Sequence, residues 1–166
     1  MYYKKYVSNL SSSLRGDQTV NIFTYLKKDH QKVSDLFKKI EASPGSNNNI
    51  AILEEIVNEL TLHAETEQAT FYKAINKTAK GKEEISHAKD EHKDIKKAIS
   101  KVLDLKPNTS NWFIAFGELK AVVEHHVEEE ETEIFSTARK ILSKTRLESL
   151  TEEMEELKEE MTSELA

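Results

Sequence analysis

Cysteine is absent from this chain, and 166 residues contain only two prolines and four glycines. Without cysteine there are no disulfides, no thiolate chemistry, no iron–sulfur ligation and no zinc fingers. Any metal must be held by His and carboxylate, which suits iron, manganese or zinc. Scarce Gly and Pro leave few turn signals and favour long helices. No apolar run approaches the roughly 18 residues that a membrane span needs. The opening MYYKKYVSNLSSSLRG has no apolar stretch after Lys4 and Lys5, so it does not read as a secretory signal. A cytoplasmic location without a membrane partner is therefore expected. A net charge of −6 with scattered basic residues argues against a nucleic-acid partner.

What the chain does have is helical period. The length suits one domain with short extensions. Residues 1–18 are polar and Ser-rich and read as an arm. Residues 19–143 hold four segments of helical period, and residues 144–166 form a C-terminal amphipathic helix. The four segments run from about Asn21 to Ala42, Ile50 to Ala79, Lys82 to Leu105 and Asn111 to Ser143. Asn21 is a plausible N-cap and Gly81 a C-cap, while Pro107 to Ser110 break one helix and cap the next. Short connections between helices of similar length imply antiparallel neighbours. The expected fold is all-α, an up-down-up-down four-helix bundle with an additional C-terminal helix.

The pattern His-x-x-x-Glu recurs at His63/Glu67 and His126/Glu130. An acidic-His pair precedes each copy: Asp29-His30 lies 33 residues before His63, and Glu91-His92 lies 34 before His126. The flanks agree too, with Leu60 and Tyr72 around the first copy and Val123 and Phe135 around the second. This is an internal duplication whose shared residues are metal ligands by type. Positions i and i+4 share a helix face, so each copy offers a nitrogen and a carboxylate to one point. Two copies together would build a site for a pair of metal ions.

All six residues take seam positions among apolar neighbours, as in Phe23, Leu26, His30, Val33, Phe37 and Ile40 of the first helix. A carboxylate in a bundle core costs several kcal/mol unless compensated. Two carboxylates and four imidazoles there point to a cation. His87 falls off the seam and His125 points about 100° away from His126, so both read as surface residues, with His125 an optional supporting group. In the run Glu128 to Glu131 only Glu130 is in register, and Glu65 is out of it. Trp112 and Phe113 read as an end plug of the core. Leu147, Leu150, Met154, Leu157 and Met161 keep a 3–4 spacing; packing back on the bundle is favoured over contact with a second copy, and a monomer or weak homodimer is expected.

On these residues the chain resembles hemerythrin-like proteins of the HHE cation-binding family. The likeness rests on Leu26 to His30, His63 and Glu67 with Phe71-Tyr72, Glu91-His92-Lys93 with Ile95-Lys96, and Glu124 to Glu131 with Ile134-Phe135. It implies two iron ions with a bridging oxo or hydroxo group, ligated by His30, His63, Glu67, His92, His126 and Glu130, with both glutamates bridging. Oxygen-carrying members have a His pair spaced i, i+4 on the third helix. Here the positions four away from His92 are Ala88 and Lys96, so one His ligand is missing and the centre is more open. The expected function is binding or reaction with dioxygen, peroxide or nitric oxide, favoured as catalase-like peroxide breakdown. The other readings are a binding or sensing module without turnover, and a bundle stapled by a redox-inert cation.

Overall fold

The computed structural model describes residues 20–165, so the polar arm lies outside the described residues. The described residues form helices and no strand. In chain order these are α1 (Ile22–Ala42), α2 (Asn49–Ala69), a short α3 (Phe71–Ile75), α4 (Ala79–Leu103), α5 (Ser110–Glu129), a π-helical turn (Glu130–Ile134), α6 (Phe135–Ile141) and α7 (Lys144–Leu165). Helices α1, α2, α4 and α5 make the four-helix bundle, and α7 packs back across α1 and α2. Leu150 and Met154 carry that contact and are fully buried.

Local chemistry sets the helix ends. Asn21 caps α1, its Oδ1 accepting from Thr24 N at 3.2 Å. Thr109 caps α5, its Oγ1 accepting from Trp112 N at 3.3 Å. At that end of the bundle Asn108 has φ 62°, a left-handed conformation that Asn tolerates. Its side chain ties two loops together, donating to Ser46 O at 3.1 Å and accepting from Asn49 Nδ2 at 3.0 Å.

Three expectations need correction. The second segment is not continuous to Ala79: Thr70 (φ −118°, ψ −80°) ends α2, and α3 follows at once. Gly81 is not a C-cap but lies in the first turn of α4, where Thr78 Oγ1 accepts from Gly81 N at 3.0 Å. The fourth segment is not α-helical throughout, because Phe135 N–H bonds back to Glu130 O, one residue further than an α-helix allows.

The core divides into two apolar clusters. Near the 43–48 and 104–109 loops are Phe37, Ile56, Ile99, Trp112, Phe116 and Leu119. At the other end are Ile22, Phe23, Phe71, Ile75, Phe135 and Leu150. Trp112 is fully buried, as expected of an end plug, and stacks on Phe116 at 5.4 Å, whereas Phe113 is only partly buried. The six candidate ligands occupy the layer between the clusters. On α1 His30 falls between Leu26 and Val33, and on α5 His126 lies one turn beyond Val123.

Two glycines should respond oppositely to alanine. A Cβ on Gly81 would sit 2.3 Å from Ile75 O, a backbone atom that cannot step aside. Gly117 is exposed in mid-helix with nothing near its Cβ position. Gly81→Ala should destabilise the fold by about 1–3 kcal/mol, and Gly117→Ala should stabilise it by up to about 1 kcal/mol. Urea unfolding of the two variants checks both signs.

Candidate metal centre

Each pair of helices delivers the same parts. His63 and Glu67 stand one turn apart on α2, and His126 and Glu130 one turn apart at the end of α5; α1 adds His30 and α4 adds His92. Glu67 and Glu130 are fully buried, and the His30, His63, His92 and His126 side chains are 3–8 % exposed. Glu67 Oε2 lies 3.6 Å from His63 Nε2 and 3.4 Å from His92 Nε2. Glu130 Oε2 lies 3.4 Å from His30 Nε2 and 3.5 Å from His126 Nε2. Each carboxylate therefore meets one imidazole from either half of the duplication. Donor atoms of His30, His63 and Glu130 fall within 4.8 Å of one another, and so do those of Glu67, His92 and His126. The sequence proposed these six residues together, and the fold brings all six to one layer.

The outward side of every imidazole is also occupied. His63 Nδ1 bonds Asp29 Oδ2 at 3.0 Å, and His126 Nδ1 bonds Glu91 Oε2 at 2.8 Å. His30 Nδ1 bonds Glu131 Oε1 at 2.8 Å, and His92 Nδ1 faces Gln68 Nε2 at 3.0 Å. A carboxylate on Nδ1–H fixes the ring and the tautomer and leaves Nε2 as the inward donor. For His92 that tautomer requires Gln68 to turn its amide, so that the carbonyl oxygen accepts from Nδ1–H.

The inward atoms do not satisfy one another. Both oxygens of Glu67, both of Glu130, and Nε2 of His30 and His63 are buried without a hydrogen-bond partner among the described residues. Such groups cost about 1–3 kcal/mol each when neutral and more when charged. The only contact of hydrogen-bond length among the six is His92 Nε2 to His126 Nε2 at 3.1 Å. Two converging triads of buried nitrogen and oxygen donors, most of them unpaired, fit divalent transition ions.

Sequence reasoning missed the positioning residues Gln68, Glu131 and Tyr72. Their signal was there: Gln68 follows Glu67 as Glu131 follows Glu130. Tyr72 is fully buried and stacks on His92 at 5.6 Å and 14°, and its hydroxyl has no hydrogen-bond partner among the described residues. Burial first, then the charges of Glu130 and Glu67, push its pKa well above the usual phenol value. The phenol stays protonated and keeps an O–H to donate. His87 and His125 lie outside the layer, as the seam implied; both are 62 % exposed.

Known proteins resemble this arrangement. The family model of the hemerythrin HHE cation-binding domain matches residues 21–138. The chain belongs to that family. A hemerythrin HHE cation-binding domain-containing protein from Mycobacterium kansasii superposes with a TM-score of 0.77 at 26 % identity, over 85 % of this chain and 86 % of that one. An uncharacterized hemerythrin-like protein of Schizosaccharomyces pombe is 28 % identical over 63 % of this chain and 52 % of its own length. A DNA nickase of Nostoc is 25 % identical over 89 % of this chain and 42 % of its own. The chain thus spans about half the length of the curated relatives it matches.

In the metal-free chain protons take the place of a cation. Burial raises the pKa of Glu67, and the charge of Glu130 raises it further. Burial also opposes charge on Glu130, but the neighbouring carboxyl of Glu67 and the imidazoles of His126 and His30 outweigh it and hold Glu130 well below the usual carboxylate range. Burial would lower His30 and His126, yet Glu130 with Glu131 or Glu91 raises them to about 9 and about 10. Both folded-state values exceed the unfolded value of 6.5, so this stabilisation is complete below pH 6.5 and is lost as pH rises through about 9–10. Without metal, the melting temperature should therefore fall between neutral pH and pH 10. A cation needs the Nε2 lone pairs, so loading at neutral pH should displace the protons of His30 and His126. Calorimetric titration in buffers of different ionisation enthalpy counts them, and metal uptake that releases no proton would contradict this electrostatic account.

Proposed function

We propose that the chain is a non-haem di-iron protein in which His30, His63 and Glu130 hold one ion, Glu67, His92 and His126 hold the other, and both glutamates span the pair. The observation that carries this reading is the inward set of six donors, each imaged by its duplicate and backed on every imidazole from behind. Bound iron would supply ferrous–ferric cycling and open positions for a small ligand.

The surrounding residues support a small oxygen or nitrogen ligand. A cavity of about 30 Å³ adjoins His30, His63, His92 and His126 and is walled by Val33, Leu60, Ile95, Ile99 and Val123. One water needs roughly 10–15 Å³ by the same measure, so about two heavy atoms fit. That size selects dioxygen, peroxide or nitric oxide over an organic substrate. The wall of this cavity is mainly apolar, and Tyr72 lies outside it, in the apolar cluster on the other side of the layer. Among these ligands we favour peroxide, with catalase-like turnover. The positions four away from His92, where oxygen-carrying members have a further histidine, are Ala88 and Lys96, and that leaves the centre open. Ligand binding or sensing without turnover is the alternative.

Nicking of DNA is said of the Nostoc relative alone.

The oxidised, iron-loaded protein should show near-ultraviolet and visible charge-transfer bands and evolve oxygen from peroxide without a reductant. Normal bands without oxygen evolution would favour the binding module; zinc in place of iron would leave only the structural staple. Chelation should lower the melting temperature, since a ligand at 100 times its Kd contributes about 2.7 kcal/mol. Glu130→Ala should lose metal, and Glu128→Ala, exposed in the same acidic run, should not. Equal loss in both would refute the choice of Glu130.

A further inference from the structure

The His-x-x-x-Glu spacing occurs at two further places, His87/Glu91 on α4 and His125/Glu129 on α5. We propose that these four residues form a second cation site, at the bundle surface between α4 and α5, for a divalent first-row transition ion. The four side chains converge. His87 Nε2 lies 3.6 Å from Glu91 Oε1 and 3.0 Å from Glu129 Oε2. His125 Nε2 approaches the same two carboxylates, at 3.6 Å from Glu91 Oε1 and 3.2 Å from Glu129 Oε1. His87, Glu91 and Glu129 each offer a donor atom within 4.8 Å of the others. Around a tetrahedral ion with bonds of about 2.0–2.2 Å, neighbouring donors stand roughly 3.3–3.6 Å apart. The imidazole–carboxylate spacings bracket that range.

A second observation points to a ligand. Glu91 Oε1 is shut off from solvent and has no hydrogen-bond partner among the described residues. It lies 3.6 Å from both imidazoles, too far to bond either and near enough to share an ion with them. Both imidazoles are 62 % exposed, so packing does not hold them there and an ion can enter without moving the backbone. Two imidazoles with two carboxylates suit zinc, ferrous iron or manganese, while magnesium and calcium prefer all-oxygen sites.

The other oxygen of Glu91 accepts from His126 Nδ1 at 2.8 Å. The outer site and the buried centre are thus one carboxylate apart. An ion on Oε1 draws charge away from the His126 bond, so occupancy outside should weaken the donor strength of His126 inside. The site itself stands on its own four residues and does not depend on iron in the core.

The test uses the full chain, stripped by chelator and dialysed against zinc, with metal per chain measured in the wild type and in the double variant His87→Gln/His125→Gln. The double variant should carry one zinc fewer. If both proteins bind two, the outer site is refuted and the buried pair stands. If the wild type binds one and the variant none, the outer site stands and the buried pair fails. A readout without mutation guards against misfolding: zinc should protect His87 and His125 of the wild type from diethyl pyrocarbonate, read by peptide mass spectrometry. Modification at the same rate with and without zinc would overturn the proposal.

Discussion

Two carboxylates in a solvent-shielded layer govern this protein. Glu67 and Glu130 sit fully buried between two apolar clusters, each with both oxygens unpaired. Apolar burial on either side stabilises the bundle, and the same burial makes the layer costly to leave uncompensated. Four imidazoles aim at the carboxylates without neutralising them by hydrogen bonds. Their outward nitrogens are held by Asp29, Glu91, Glu131 and Gln68. The bundle therefore builds a cavity of donors first and leaves charge balance to what it binds. A replacement of both glutamates by leucine would remove that cost, and with it the reason for the whole outer ring of acids.

The duplication explains how one short chain builds such a layer. Asp29 of the first half orients His63 and Glu91 of the second orients His126, so each acidic-His pair contributes a positioning group one residue before its own donor. Departure from α geometry is duplicated as well. Thr70 interrupts the backbone three residues after Glu67, and the π turn begins at Glu130 itself. In both places an aromatic pair or partner follows, Phe71-Tyr72 or Phe135, and swings under the layer to close it. Phe23, Phe71 and Phe135 meet there with ring centroids 4.8–6.2 Å apart.

The fold and the central donors were legible because both rest on period. A seam residue every three or four positions survives reading without coordinates, and a carboxylate on that seam is conspicuous for its cost. Helix ends were less legible at Gly81 and Thr70. Gly81 has the residue type of a stop signal but serves close approach to Ile75 O, and a Thr whose hydroxyl bonds Thr66 O ends α2 without Gly or Pro. The π turn has no compositional mark at all. The orienting residues were half legible: Asp29 and Glu91 were noticed as neighbours of histidines, yet their partners lie on another helix, and no period within one helix reveals that. His87 and His125 were set aside because they leave the seam, although their own spacing to Glu91 and Glu129 repeats the ligand pattern.

Inside, the two halves are close to equivalent; outside they are not. On the first half, Lys158 of α7 forms an ion pair with Asp29 and lies over the Tyr25 ring at 4.7 Å. Burial works against the Asp29 charge, but His63 and Lys158 hold its pKa down to about 2. That folded-state value lies below 3.8, so the stabilisation is present above pH 3.8 and is lost as pH falls through about 2. On the second half, Glu91 faces two exposed imidazoles and forms no ion pair with a lysine among the described residues. The His63 side is thus pinned by a fixed cation of the chain, while the His126 side meets groups whose charge depends on protons or on an ion. Tyr72 completes the asymmetry, since its duplicate position is Phe135 and carries no hydroxyl. Matched donors thus stand in unmatched surroundings, with a lysine behind Asp29 and two exposed imidazoles behind Glu91.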